Sequence, residues 1–481
     1  MATSAIGPFR KIGFLLDGRW MQDGEPFDVL SPFNRVVAGT AYRATAHHLE
    51  AAIVAAQRAF NVTRHIPAHE RHRILQAVAN GIARRHDEFS TTMALEAGKP
   101  IQAARAEVER AVLTFTVAAE ESARIGGEWI PLDRTPAGAG RAAIVRRFPV
   151  GPVAAITPFN FPLNLVAHKI APAIAAGCTI VQKPSPHAPL CSLMLAELVE
   201  QAGWPAGALN VLPLSNDDAR SMAADERFKL LTFTGSATIG WELKRIAGKK
   251  RVTLELGGNA GCIVHSDAAL DHAAERIVAG GYSYAGQSCI SAQRVFVQRS
   301  VEEQFTEKLL ARVAALKVGD PLDPTTDVGP LINEDAAARV SQWVDEAVAG
   351  GAKVLAGGHG GRTLYQPTVL THARPEMKVT CEEIFGPVIV IEPYDDFADA
   401  LCRVNDTRYG LQAAVFTTDI RLLFLAFEEL EVGGVIANDV SSFRIDHMPY
   451  GGVKDSGFGR EGLRYAIEDM TELRLLALHM H

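Results

Sequence analysis

Cysteine is scarce in this sequence: six residues in 481, at Cys178, Cys191, Cys262, Cys289, Cys381 and Cys402, with no C-x-x-C pair. No group of Cys and His has metal-ligand spacing, so a zinc module and a disulfide scaffold are excluded, no metal is expected, and a reducing, cytoplasmic setting fits best. Long apolar runs are missing as well. No window approaches the ~18 uninterrupted apolar residues of a membrane helix, and the opening stretch MATSAIGPFRKIGFLLDGRW is broken by Arg10, Lys11 and Gly13. Positive charge is not in excess, since 48 Lys+Arg against 55 Asp+Glu leave a net −7. Neither nucleic acid nor an anionic bilayer is therefore an expected partner, and a small molecule is. The chain also has no internal repeat, no charge block, and no low-complexity tract beyond GGHGG at 357–361.

What is present describes a multidomain globular protein. Hydrophobic residues make up 48% and charged ones 21%, enough apolar side chain to offset chain entropy. The length exceeds one compact core, so two or three domains are expected. From about 45 to 125 the sequence is Ala-rich and helical in period, as in HHLEAAIVAAQRAF and ERHRILQAVANGIARRHDEF. After Ala142 short β-prone runs alternate with helical ones (GPVAAITPFN, CTIVQKPS, ALNVLPL, LLTFTGS), the pattern of βαβ units on a parallel sheet. A second α/β region follows from about 255 to 440, with NAGCIVHS, RVFVQRS, PVIVIEPY, LQAAVFTT and GGVIAND as strands. IPLDRTPAGAGRAAIVRRF and MTELRLLAL have alternating apolar content with nothing obvious to pack on, as in an exposed sheet covered by another subunit.

Three residues carry candidate chemistry. Cys289 in YAGQSCISAQRVFV follows a Gly-containing turn and precedes a β-prone run, a place for either an accessible thiol or a small buried hydrophobe. Glu255 in VTLELGGNAG ends an apolar strand before two glycines. A half-buried carboxylate there has a raised pKa and suits a general base, or it caps the next turn. Asn160 in TPFNFPLNL lies between Pro158 and Pro162, where a fixed amide either stabilises an oxyanion or closes a turn. For a nucleotide, KPS at 183–185 places Lys183 at the carboxyl edge of a parallel sheet, and FTGSATIG at 233–240 supplies a strand, a turn and a helix start. The G-x-G-x-x-G fingerprint is absent after every candidate strand.

PFNFP, KPS, FTGS, LELGG and GQSC occur in one order over about 130 residues, followed by EEIFGPV at 382–388, NDTRYGL at 405–411 and PYGGVKDSGFGREG at 449–462. Together they resemble the aldehyde dehydrogenase superfamily over essentially the whole chain, closest to its lactaldehyde and non-phosphorylating glyceraldehyde-3-phosphate dehydrogenase-like branch. The resemblance implies an α/β fold: a Rossmann-type cofactor domain (1–124 and 145–254), an α/β catalytic domain (255–440), oligomerisation segments (125–144 and 463–481) and a substrate-tunnel loop (441–462). It implies oxidation of a small polar or anionic aldehyde to the acid with NAD or NADP, and a homodimer or homotetramer.

In that family frame Cys289 matches the nucleophile, Glu255 the base, and Asn160 with the Cys289 N–H the oxyanion hole. Lys183 matches a ligand of the adenosine ribose, Gly235 and Ser236 the pyrophosphate turn, and Glu383 with Phe385 the clamp on the nicotinamide ribose. Thr157, Pro158, Phe159, Ser185, Leu256 and Gly257 are further expected cofactor contacts, and Arg110, His168, Ser288 and Arg444 expected substrate contacts. Arg110 and Arg444 have an alternative reading as solvated surface residues, and His168 as a helix-surface residue. Two departures stand out. Pro186 occupies the place where many NAD-preferring relatives carry a Glu, which opens the site to a 2′-phosphate. Ser288 stands where the phosphorylated-sugar enzymes carry an Arg. A CoA-acylating enzyme usually lacks the Glu of LELGG, so Glu255 disfavours that rival. The set Cys289, Glu255, Asn160, Lys183 and Glu383 disfavours a non-catalytic binding protein on the same fold.

Overall fold

In the computed structural model, which describes residues 10–480, the Ala-rich stretch forms helices Ala46–Thr63, Ala68–Arg84, His86–Ala97 and Ile101–Arg124. The last of these shows why. Its buried positions Ile101, Ala104, Val108, Ala111, Phe115 and Ala118 recur at three and four residues, so one stripe faces the core and a polar face remains outside. Residues 1–9 of the expected cofactor domain, including part of the opening apolar stretch, and His481 of the expected oligomerisation segment lie outside the described residues. Among the described residues no helix is long and apolar enough to cross a membrane.

The helices pack on an eight-stranded sheet. Its five central strands run parallel in the order Arg251–Glu255, Leu230–Thr234, Val153–Ile156, Ile180–Lys183 and Leu209–Val211. Strand order reverses between Val153–Ile156 and Leu230–Thr234, which makes a switch point where ligands of such sheets bind. Register does the rest. Thr234 pairs with Glu255, Phe233 with Ile156, and Ile156 with Lys183, so the chain leaves all four strands at one edge. Apart from exposed Arg251 and half-buried Val252, these strands are buried along their length, with Ala154, Ala155, Ile180 and Leu254 fully enclosed. Burial on both faces explains their continuous apolar runs in place of alternation.

A seven-stranded sheet forms the second layer, with six parallel strands from Thr368–Thr371 through Val388–Tyr394, Ala292–Gln298, Ala260–Val264 and Gln412–Phe416 to Gly434–Ala437, and Lys353–Ala356 antiparallel at one edge. Its two faces carry separate apolar clusters, one around Phe305 and Val340, the other around Phe397 and Leu401. The third sheet joins Gly127–Pro131, Arg141–Pro149 and Thr471–His479. Trp129, Leu473, Leu475 and Leu476 on it are all more than half exposed.

Three expected boundaries shift. The first oligomerisation segment does not stop at 144, because its strand continues to Pro149. Residues 463–470 are not part of that sheet: Leu463, Ile467 and Met470 are buried in the core of the first layer, so the exposed strand starts at Thr471. The stretch 441–462 is more than a loop, since Gly457–Phe458 pairs antiparallel with Arg251–Glu255 as an edge strand of the first sheet.

Candidate active site

Between the two layers lies a cavity of about 550 Å³, and the thiol of Cys289 opens into it from a strained turn. Tyr284 and Ala285 adopt left-handed backbone (φ 50° and 53°), followed by Gly286 at 69°, at about 1 to 3 kcal/mol for each non-glycine residue. The surroundings hold that turn in place. Buried Gln287 donates to the carbonyls of Tyr284 and Pro330 and accepts from the Ile332 N–H, while the Tyr284 hydroxyl donates to Ala97 at 2.6 Å.

The buried Asn160 amide donates to the Gln287 carbonyl at 3.0 Å and lines the cavity beside Cys289. The amide therefore has one N–H committed to the thiol-bearing loop and a second to offer. Burial pushes the half-buried Cys289 thiol up to about 12, against its hydrogen bond with Tyr450, whose hydroxyl is 3.1 Å from Sγ. Burial thus favours the protonated form of this thiol.

Tyr450 went unnoticed in the sequence although it lies in the quoted string PYGG. The Arg444 guanidinium stacks 3.7 Å over its ring. Arg444 is not a surface residue: it lines the cavity, approaches Glu461 at 3.5 Å and His168 at 3.4 Å, and keeps a buried Nε without a partner. Glu461 in turn holds Lys169, and both are buried. Above this pair sits Glu255, 3% exposed, with neither carboxylate oxygen hydrogen-bonded. Burial pushes its carboxyl well above the usual range and Glu461 adds to the shift, with Arg444 and Lys169 opposing; Glu461 itself is held low by Lys169 despite its burial. The Glu255 carboxylate is tucked behind the wall, not in it. Its Oε1 lies 2.8 Å from where a Cβ on Gly451 would stand, and Gly451 has φ 156°, so only glycine leaves room there.

Arg110 lines the other end of the cavity and makes two hydrogen bonds to Asp446, at 3.1 and 2.7 Å. Asp446 also accepts from Asn164 at 3.0 Å and sits 2.9 Å from His168 Nε2. Burial alone would raise that carboxyl, yet His168 and Arg110 hold it far below the usual range. His168 corrects the sequence reading twice. It is neither on a helix surface nor in the cavity wall, but 1% exposed and behind Asp446. Ser288 does line the cavity.

The expected cofactor residues divide in the same way. Pro158, Phe159, Gly235, Ser236, Leu256, Gly257, Glu383 and Phe385 line the cavity. Phe159 and Phe385 meet edge to face at 6.1 Å, and the Glu383 carboxylate, pushed up to about 7 by burial, accepts from the Gly258 N–H at 3.1 Å. Ser236 opens the helix Ala237–Ile246 without a side-chain cap, leaving its first N–H groups for an anion. Thr157 is a correction, because its hydroxyl is buried and taken by Gln182 at 2.9 Å rather than facing the cavity. Lys183 and Ser185 are buried at the sheet edge outside the cavity wall. Burial lowers Lys183 to about 8, and nearby Arg43 contributes. A half-buried thiol beside a free amide N–H, facing a sheet switch point and an uncapped helix, fits the class of nucleotide-dependent oxidoreductases.

Comparison with known proteins gives that class its family. The pattern of the aldehyde dehydrogenase family matches residues 20–476. A 3-sulfolactaldehyde dehydrogenase of Priestia aryabhattai is 43% identical over 99% of this chain and 100% of its own. Aldehyde dehydrogenase 21 of Physcomitrella patens, solved with the reaction product succinate, is 45% identical with a TM-score of 0.96, covering 98% of this chain and 99% of that one. A glyceraldehyde-3-phosphate dehydrogenase of Methanocaldococcus jannaschii, solved with NADP, is 39% identical with a TM-score of 0.91, covering 95% and 100%. The chain belongs to the aldehyde dehydrogenase family and is an NAD(P)-dependent aldehyde dehydrogenase.

Proposed function

We propose that the enzyme oxidises a short aldehyde bearing an anionic group, a carboxylate or a sulfonate, at the end remote from the carbonyl, and releases the acid by hydrolysis. One observation carries this reading: Arg444 is a buried, cavity-lining cation with an orphan Nε, and it shares its carboxylate Glu461 with Lys169. Two other cations of the cavity wall are matched by carboxylates, Arg110 by Asp446 and Lys99 by Glu107. An anionic substrate supplies the missing charge through hydrogen bonds worth about 1.5 to 3 kcal/mol each. The names of the similar proteins, with sulfolactaldehyde as substrate and succinate as product, agree with such a ligand.

In this mechanism the Cys289 thiol gives its proton to water in the cavity, and the thiolate sulfur adds to the aldehyde carbon. The second N–H of Asn160 and the Cys289 backbone N–H meet the developing oxyanion. Gly235, Ser236, Glu383 and Phe385 would hold the dinucleotide, which fits the cavity and the uncapped helix start; when bound it accepts the two electrons that turn the thiohemiacetal into a thioester. Glu255, once ionised, swings from behind Gly451 as a carboxylate of raised proton affinity and takes a proton from the water that attacks the thioester. The carboxylate product leaves and the thiol is restored. Lys169 and Glu461 beneath it set its proton affinity.

The test is kcat/KM for succinic semialdehyde and for butanal, in wild type and in Arg444→Met. The charged substrate should lose about tenfold or more and the neutral one far less, as for loss of one charge-assisted bond. Equal loss on both would assign Arg444 to the thiol and refute the anionic reading.

A further inference from the structure

A second cavity of about 560 Å³, as large as the first and sharing no wall residue with it, lies at the root of the third sheet. Its wall holds Arg64, Arg71, Arg146, Arg147 and His65, and no carboxylate side chain. None of the four arginines makes an ion pair within the described residues. Two of them have structural work. Arg71 caps the carbonyl of Ala176 at 3.1 Å, and Arg147 reaches the Glu468 carbonyl and the Thr471 hydroxyl. Even so, the Arg71 Nε is buried without a partner. Arg64 and Arg146 make no hydrogen bond through their side chains and only rest against Phe60 and Phe148. Arg146 also stands directly across the sheet from Arg474, and like charges so placed repel. Caps on helix carbonyls account for two guanidinium groups, not for four converging on one hollow.

We propose that this hollow is a binding site for a small polyanion, a compound with two or more phosphate groups. Guanidinium is the side chain best matched to phosphate oxygens, because its fork gives paired charge-assisted bonds. The volume falls in the range of about 300 to 1,000 Å³ typical of small-molecule sites. The ligand neutralises Arg64 and Arg146, engages the orphan Nε of Arg71 and screens Arg146 from Arg474. Nothing in the reading of the catalytic cavity is needed for this.

The experiment is a calorimetric titration of tripolyphosphate into the full-length enzyme kept saturated with NAD, so that the Cys289 cavity is filled. One site per chain is expected, with affinity falling as salt is raised. Arg64→Ala and Arg146→Ala should each weaken it about tenfold or more, the loss expected for a charge-assisted bond, while aldehyde oxidation without tripolyphosphate stays at the wild-type rate. Arg64→Lys, which keeps the charge, should hold binding within a few-fold and guards against misfolding as the cause. No saturable binding, or binding that both alanine variants leave unchanged, overturns the proposal. So does sedimentation in which Arg64→Glu dissociates the enzyme while tripolyphosphate never binds, since that result makes the hollow a contact with a second copy of the chain.

Discussion

Replacing Tyr450 by phenylalanine removes one hydroxyl and leaves the ring under Arg444, so it isolates the hydrogen bond to Cys289. That bond is 3.1 Å long and works against burial, which pushes the thiol up to about 12. Burial raises the Tyr450 hydroxyl as well, so it stays protonated and can donate to a thiolate. A hydrogen bond to a charged acceptor contributes about 1.5 to 3 kcal/mol, or about one to two pKa units. Tyr450→Phe should therefore raise the thiol further and cut the thiolate fraction at any lower pH about ten- to a hundredfold. The assay is the rate of alkylation by iodoacetamide against pH, with Cys381 and Cys402 replaced by serine because they are accessible, whereas Cys178, Cys191 and Cys262 are buried. In wild type the rate should climb about tenfold per pH unit from pH ~7 to ~10 without a plateau, as for a thiol that reacts only when ionised. The variant should follow a parallel line displaced downward. Superimposed lines would show that the phenol only accepts from the S–H and gives the thiolate nothing, which refutes the argument.

Cys289→Ala should abolish aldehyde oxidation and leave NADP binding, read by fluorescence quenching, within a few-fold; residual turnover above about a tenth would exclude a covalent route. Wild type should accept NADP at no worse than about a hundredfold penalty in kcat/KM against NAD, since Pro186 offers no carboxylate and Arg43 lies near Lys183; Pro186→Glu should move the ratio toward NAD. Asp446→Asn should lower stability to urea by about 2 to 4 kcal/mol, toward the low side of a broken buried pair because the Arg110 side chain is 28% exposed. The same carboxylate has a folded pKa far below its unfolded one, so its contribution is complete above pH ~4 and is lost as pH falls below that. The wild-type advantage over Asp446→Asn in the urea midpoint should accordingly shrink only on acidification below pH ~4.

What the sequence made legible is what is local in the chain. Alternation of apolar runs with helical stretches marks the parallel sheets, and residues that end a strand or lie just beyond one, such as Glu255, Gly235 and Asn160, fall at one sheet edge because parallel register leaves no other place for them. Residues whose role depends on a partner far away were not legible. Asp446 meets Arg110 across 336 positions and His168 across 278, and Glu461 meets Lys169 across 292. Such pairs have no period, and each partner taken alone looks like an ordinary surface charge on a loop or helix. The same blindness put His168 in the tunnel, since a helix face can be inferred from spacing but the residue standing in front of it cannot. Tyr450 and Glu461 were within reach, lying inside the strings PYGG and GREG that carried the resemblance. The boundary at Leu463 was not, because a short amphipathic helix reads the same whether it packs on its own domain or extends an arm.

On the proposed mechanism, these long-range pairs also account for how the thiol of Cys289 and the carboxyl of Glu255 are kept apart at rest. Tyr450 and Arg444 face the thiol on one side and Glu461 on the other, while Glu255 lies behind Gly451 with no hydrogen-bond partner. An unpaired buried carboxyl lowers its free energy by staying protonated, and in that state it cannot deprotonate the thiol or hold water near it. Entry of an anion beside Arg444 draws that guanidinium's field away from Glu461 and Glu255 together, which raises the proton affinity of both. Glu255 then keeps its proton to a higher pH when substrate is present than when the cavity is empty, and its carboxylate, once formed, has the greater proton affinity. A pH profile of kcat with an acidic limb higher than that of kcat/KM by about half a unit or more is the expected signature, because the first reports the occupied enzyme and the second the free one. Identical limbs would place the control of Glu255 in the Lys169–Glu461 pair alone.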